Sequence, residues 1–179
     1  TSEFATWVDS KIQNIALKRK KCLILDLDNT LWGGVLGEEG INGIQIGGDY
    51  PGKAFLYFQE ALSALSKEGI ILSVCSKNNE EDVFEAWEQN PFMVLRKKDF
   101  VAIRINWNDK ASNIVELSKE LNIGLDSMVF IDDNPAEREL VKQTLPMVAV
   151  PDFPKQAYML PQFFMQLVRD YFEVYEITG

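Results

Sequence analysis

Residues 22–30 read Cys22-Leu-Ile-Leu-Asp-Leu-Asp-Asn-Thr30. The apolar run from Cys22 to Leu25 is too short for a helix and reads as a strand buried on both faces. It runs straight into two acids, Asp26 and Asp28. An unpaired buried carboxylate is very costly, so both belong at the strand's exit, exposed or neutralised. Residues two apart in a strand point the same way, which puts Asp26 and Asp28 on one side. The plainer alternative is a strand ending in an Asp-Asn turn.

The rest of the chain decides between these readings. Its 179 residues fit one domain with an ordinary apolar fraction of 46%. The net charge of −9 argues against nucleic-acid or anionic-membrane partners. The basic run Lys18 to Lys21 is a local exception and reads as a solvated helix end. Histidine is absent, which removes Ser-His-Asp and Cys-His mechanisms and His-ligated zinc. Chemistry must rest on carboxylates, Lys, Ser/Thr or Cys. Cys22 and Cys75 lie in apolar runs without metal-type spacing, as reduced thiols of a cytoplasmic protein do. No signal peptide or membrane-spanning apolar run is evident. The chain opens on Thr1, not Met, and stops at Thr178-Gly179. Residues 1–21 are therefore expected to be a helix and linker from an upstream domain of a longer protein.

Taken in order, Phe4, Trp7, Val8, Ile12, Ile15 and Ala16 have helical spacing. After the first strand, residues 32–52 hold eight of the eleven glycines, with β-prone pieces between them. They read as a small β-hairpin flap, too short to be a cap domain. Residues 53–67 form a helix stopped by Gly69. Ile70 to Cys75 is a second strand, and Glu80, Glu81 and Asp82 open an acid-led helix. A third strand is expected over 100–105, a helix over 110–121 and a fourth strand over 127–131. Asn134 and Glu137 suggest a capping box with Pro135 at the first helical position. Met147 to Val150 is expected as a fifth strand. Residues 152–179 form an aromatic helical tail interrupted by Pro161. The whole is α/β: a three-layer, doubly wound, Rossmann-like parallel sheet of about five strands, occupying residues 22–151.

In such sheets ligands bind outside the carboxyl ends of the strands. Asp26 and Asp28 follow strand one, Ser76 follows strand two, Lys110 opens the helix after strand three, and Asp132 and Asp133 follow strand four. Four carboxylates there repel one another unless a cation sits among them. Hard oxygen ligands in that number suit Mg²⁺, which takes a few carboxylates, waters and substrate phosphate. Ser76 at a helix start can donate to phosphate oxygens, and Lys110 adds positive charge. A carboxylate is a credible phosphoryl acceptor. Singly, Ser76 is a turn residue, Lys110 a surface lysine and Asp132-Asp133 a solvated strand end. Their joint placement favours a site.

The segments Asp26-Leu-Asp-Asn-Thr30, Ser76, Lys110 and Asp132-Asp133 resemble the four motifs of the haloacid dehalogenase (HAD) superfamily of Mg²⁺-dependent phosphotransferases. The match spans residues 22 to about 150 in the right order. Leu27 to Val35, Val74 to Asn79 and Phe130 to Glu137 are similar to the FkbH-like branch, whose members load a glyceryl unit from 1,3-bisphosphoglycerate onto an acyl carrier protein and release phosphate. The resemblance implies Asp26 as nucleophile and metal ligand, and Asp28 as general acid/base with its carbonyl on the metal. It implies Ser76, Lys77, Asn78, Lys110 and Thr30 as phosphate or charge partners. Asp132 would ligate Mg²⁺, with Asp133 beside it or acting through water. It also singles out Cys75, next to Ser76, for carrying the acyl group as a thioester; the alternative is a small buried strand residue.

Two lookalikes fail. Gly47 to Lys53 fits G-x-x-x-x-G-K, but Ala54 replaces the metal-binding Ser/Thr and Pro51 removes an amide. A two-component receiver domain has its lysine last, whereas Lys110 precedes Asp132-Asp133 here. The expected function is Mg²⁺-dependent HAD-type phosphoryl transfer on a phosphorylated small molecule, with an acyl carrier protein as partner. The alternatives are a simple small-molecule or phosphoprotein phosphatase, and a catalytically idle HAD-fold module that docks a neighbour.

Overall fold

The computed structural model describes residues 3–8 and 19–173. Four parallel strands form the sheet: β1 (Cys22–Leu25), β2 (Ile71–Ser76), β3 (Ala102–Ile105) and β4 (Met128–Ile131), in the order β3-β2-β1-β4. β1 is central, with Leu25 opposite both Val74 and Ile131. All four of its side chains are buried, as a strand covered on both faces requires. They alternate. Leu23 and Leu25 join one core with helices α2 (Gly52–Lys67), α3 (Glu80–Gln89) and α6 (Leu160–Leu167). Cys22 and Ile24 join the other, with α4 (Lys110–Leu121) and α5 (Pro135–Thr144). This is the expected three-layer architecture.

The strand count is smaller than expected at one edge. Residues 147–150 contribute a single parallel bridge, Val129 to Ala149. Pro146 and Pro151 bracket the segment, and Met147 is exposed, so little of it can join a ladder. The flap also differs. Instead of a β-hairpin, it contains the short helix α1 (Leu36–Glu39) and one antiparallel bridge between Gly33 and Gln45. Leu36, Ile44 and Ile46 are buried in the core, which makes the segment a fixed wall. Residues 3–8 are helical. The expected helix positions Ile12, Ile15 and Ala16 lie outside the described residues. In the tail, Pro161 sits in the first turn of α6, where proline is tolerated, and does not interrupt it. Among the described residues, no helix is long and apolar enough to cross a membrane.

One buried polar side chain ties the sheet's cover to the chain leading into the site. Gln59 of α2 donates to the Leu31 carbonyl at 2.7 Å and accepts from the Leu95 and Val94 amides at 2.9 and 3.2 Å. Gln59→Leu leaves those backbone groups buried and unpaired. It is expected to cost about 3 kcal/mol, read from urea unfolding; a loss under about 1 kcal/mol would show that the contacts are replaceable.

Candidate active site

The site forms because β1 and β4 run parallel and in register. Asp26 directly follows Leu25, and Asp132 follows Ile131, its register partner. The Asp26 amide still donates to the Ile131 carbonyl at 3.0 Å, so both acids leave the sheet side by side. Strand alternation turns both toward the α4 layer. There Asp109 caps α4 by accepting from the Ser112 amide at 3.1 Å, which sets Lys110 in the first turn. Lys110 Nζ reaches Asp26 Oδ1 at 3.2 Å and Asp132 Oδ2 at 2.5 Å. All three side chains are buried.

Asp133 completes the cluster. One carboxylate oxygen each from Asp26, Asp132 and Asp133 lies within 4.8 Å of the others. Burial pushes the Asp26 carboxyl well above the usual range; Lys110 opposes this, and Asp132 and Asp133 add to it. Burial likewise raises Asp133, with the Asp26 hydrogen bond opposing. Burial alone would lower Lys110, but Asp26 and then Asp132 outweigh it and raise the lysine. One ammonium is thus shared by Asp26 and Asp132, with Asp133 beside them. The donor set is hard, anionic and oxygen-only, with one cavity-facing side, and it fits a Mg²⁺ ion that keeps waters.

The Thr30 hydroxyl lies between Asp26 Oδ2 (3.4 Å) and Asp133 Oδ1 (3.3 Å) and can donate to one at a time. Asn29 has φ +58, a left-handed turn that Asn tolerates, and its side chain accepts from the Gly34 amide. That turn swings Asp28 away from the cluster. Its carboxylate accepts from Trp32 Nε1 (3.0 Å), the Leu36 amide (2.9 Å) and Asn78 Nδ2 (3.0 Å). Asp28 still lines the same cavity, of about 170 Å³, as Asp26, Lys77, Lys110 and Asp133. The carboxylate cluster itself does not include Asp28.

Not every expected residue arrives. Ser76 is buried beside Asn106 and is not among the residues lining the cavity. Cys75 requires a correction. It is fully buried on the α4 face with Cys22, Ile24 and Ile114, and its Sγ faces the Lys110 carbonyl at 3.8 Å. Burial, opposed by Lys110, pushes its thiol up to about 12. A neutral thiol sealed in the core cannot meet a bulky acyl acceptor; the small buried strand residue is the reading that holds.

Other residues carry roles that sequence reasoning missed. Trp32 holds Asp28 across one turn of chain. Glu137, expected as a capping partner of Asn134, instead pairs with Lys77 at 3.0 Å and lines the cavity. Asn134 caps α5 alone, through the Ala136 amide. Arg138 Nη1 donates to the Asp132 and Asp133 carbonyls, both at 3.0 Å, and fixes the acidic pair from behind. The D-D-N-P-x-E-R run held the signal, but a cap and a partner across the site have the same spacing.

The model of the NLI interacting factor-like phosphatase family matches residues 21–158. Among solved structures, the N-terminal part of a Bacteroides fragilis protein, containing a phosphatase domain complexed with Mg, is 47% identical with a TM-score of 0.82. That match covers 90% of this chain and 42% of the other, so the chain spans less than half of that structure. The HAD domain of the Legionella pneumophila effector Lem4 is 15% identical, with TM-score 0.62 and coverage of 89% of this chain and 100% of that one. The 3-deoxy-D-manno-octulosonate 8-phosphate phosphatase of Moraxella catarrhalis, solved with magnesium and phosphate, is 20% identical, with TM-score 0.50 and coverage of 90% and 92%. These two likenesses show a shared HAD-like fold. No curated protein sequence matches the chain.

Proposed function

This chain belongs to the NLI interacting factor-like phosphatase family, and on that footing we propose that it is a Mg²⁺-dependent HAD-type phosphotransferase with Asp26 as nucleophile. The observation that carries this reading is the buried Asp26–Lys110–Asp132 ion triad with Asp133 beside it, at the carboxyl edge of a parallel sheet. Asp26, Asp132 and Asp133 would hold Mg²⁺, with the Asp28 carbonyl as a further ligand. When bound, the ion supplies positive charge for the phosphoryl oxygens.

The chain's own groups do the rest. An Asp26 oxygen forms a bond to phosphorus as the bond to the leaving group breaks, giving an aspartyl-phosphate. Lys110 holds Asp26 and Asp132 in place and offsets charge during transfer. Asp28 lines the cavity through which the leaving group departs and water returns. It donates a proton to the first when one is needed and accepts one from the second. Trp32, Leu36 and Asn78 fix its carboxylate for that work. Lys77, on the rim, meets the phosphate from solvent.

The finer reading is FkbH-like. The acyl donor is 1,3-bisphosphoglycerate or a similar acyl phosphate, and the acceptor is an acyl carrier protein whose thiol attacks the acyl carbon as phosphate leaves; this step takes the place of Asp26 attack at phosphorus, which would release the acyl unit as a free carboxylate. The open cavity supports a bulky acceptor, since the flap is a wall and no cap domain lies among the described residues. The acyl unit is not held on buried Cys75. Two free, buried thiols fit a cytoplasmic setting. The second reading is a simple phosphatase.

One experiment separates them: incubation with 1,3-bisphosphoglycerate with Mg²⁺ or with EDTA, with and without a carrier protein. Phosphate release only with Mg²⁺ supports the family activity. A glyceryl adduct on the carrier, seen by intact mass, supports the FkbH-like reading. Release with no adduct favours the simple phosphatase. Release that persists in EDTA would contradict the metal assignment.

A further inference from the structure

A second, larger cavity of about 490 Å³ opens off the first; Asn29 and Asp133 line both. Its size is that of a small-molecule site, while the acid cavity of about 170 Å³ suits a phosphoryl group. One side is the flap, with Gln45 and Tyr50; the other is the tail segment carrying Lys155 and Gln156. The tail wall is fixed by aromatic packing. Phe153 stands edge-on to Phe163 at 5.2 Å and to Phe58 at 6.3 Å, directly before Pro154 and Lys155. The flap wall approaches closely at Gly33, where an added Cβ would lie 2.7 Å from the Gln45 side chain and 3.2 Å from the Phe55 ring. Both walls are therefore set by packing.

Charge gives the cavity its direction. Apart from Asp133, which belongs to the metal-type cluster, the charged residue lining it is Lys155. Among the described residues Lys155 makes no ion pair; its neighbour Asp152 pairs with Lys142 instead. An unpaired cation on a fixed wall, in a chain of net charge −9, favours an anionic group on the ligand.

We propose that this groove is the leaving-group subsite and that Lys155 selects phosphoryl compounds whose leaving group carries a second acidic group, a carboxylate or a phosphate. The inference rests on the phosphatase reading, because it assigns the groove to the part of the substrate beyond the transferred phosphoryl. The phosphoryl group sits at Asp26, the connecting chain crosses the shared rim between Asn29 and Asp133, and the second anion meets Lys155. Gln45 and Gln156 offer amides to hydroxyl groups along that chain.

The test uses three alkyl phosphates of similar length: phosphoglycerate, with a carboxylate; propanediol bisphosphate, with a second phosphate; and glycerol phosphate, with neither. Turnover with Mg²⁺ is measured on the wild type, Lys155→Ala and Lys155→Glu. Binding of the same compounds is measured by calorimetry in an Asp26→Asn background. With Lys155 present, one or both probes carrying a second acidic group are expected to be favoured over glycerol phosphate by about tenfold, as a charge-assisted hydrogen bond gives. Lys155→Ala is expected to collapse that ratio, and Lys155→Glu to invert it. Preference for the carboxylate probe alone or the bisphosphate alone identifies which acid is read. No preference in the wild type, or a ratio untouched by Lys155→Ala, overturns the proposal. Absence of turnover with every probe, nitrophenyl phosphate included, counts against the phosphatase reading alone, and the calorimetric ratio then decides the groove.

Discussion

Asp26→Asn is expected to abolish Mg²⁺-dependent phosphate release, with a loss on the order of 10⁴-fold or more in kcat, the scale on which removed nucleophiles act. The substitution preserves shape at a site where Asp26 is buried against Thr30 and Lys110. The fold should therefore survive it. Stability in metal-free buffer should change little, because Lys110 keeps its shorter contact to Asp132 at 2.5 Å. The paired measurement is phosphate release and urea unfolding in EDTA. A folded variant with near wild-type turnover would remove Asp26 from the mechanism.

Lys110→Met should give the largest stability change. The ammonium lies 2.5 Å from Asp132, which has no exposed surface, and 3.2 Å from Asp26. Methionine fills the volume but leaves two buried carboxylates with no countercharge. Removing one partner of a buried pair costs about 3–5 kcal/mol. A Mg²⁺ ion held by the same acids would restore part of that loss by mass action. Unfolding midpoints with and without Mg²⁺ check both statements. A loss below about 1 kcal/mol, or no recovery with the ion, would contradict the shared-charge account of the cluster.

The residues explain which parts of this arrangement could be read in advance. β1, β2 and β4 are near-continuous apolar runs because helices cover both sheet faces, and such runs stand out in a sequence. Asp26, Asp28, Lys110 and Asp132 follow from the rule that parallel sheets present their carboxyl ends to ligands. Residues 147–150 have the composition of a strand, but two flanking prolines and a solvent-facing Met147 leave only Ala149 to pair. The glycine-rich flap has the composition of a hairpin, yet burial of Leu36 favours a helical turn that aims the Leu36 amide at Asp28. Glu137 has capping-box spacing, and only the approach of Lys77 from another loop gives it a different partner. Cys75 neighbours Ser76 in sequence and lies on the same α4 face as the cluster, but it is sealed there against the Lys110 carbonyl with no exposed surface. Apart from the prolines around residues 147–150, each difference depends on a neighbour distant in the chain.

The most direct measurement asks whether phosphate ever resides on residue 26. The protein is mixed with a phosphoryl donor and Mg²⁺, quenched within the turnover time and treated with borohydride, which reduces an aspartyl-phosphate to homoserine. Peptide mass spectrometry should find homoserine at position 26, dependent on both donor and Mg²⁺, and absent from Asp26→Asn. Turnover with unmodified Asp26, or with the modified residue at Asp28, Asp132 or Asp133, would contradict the account.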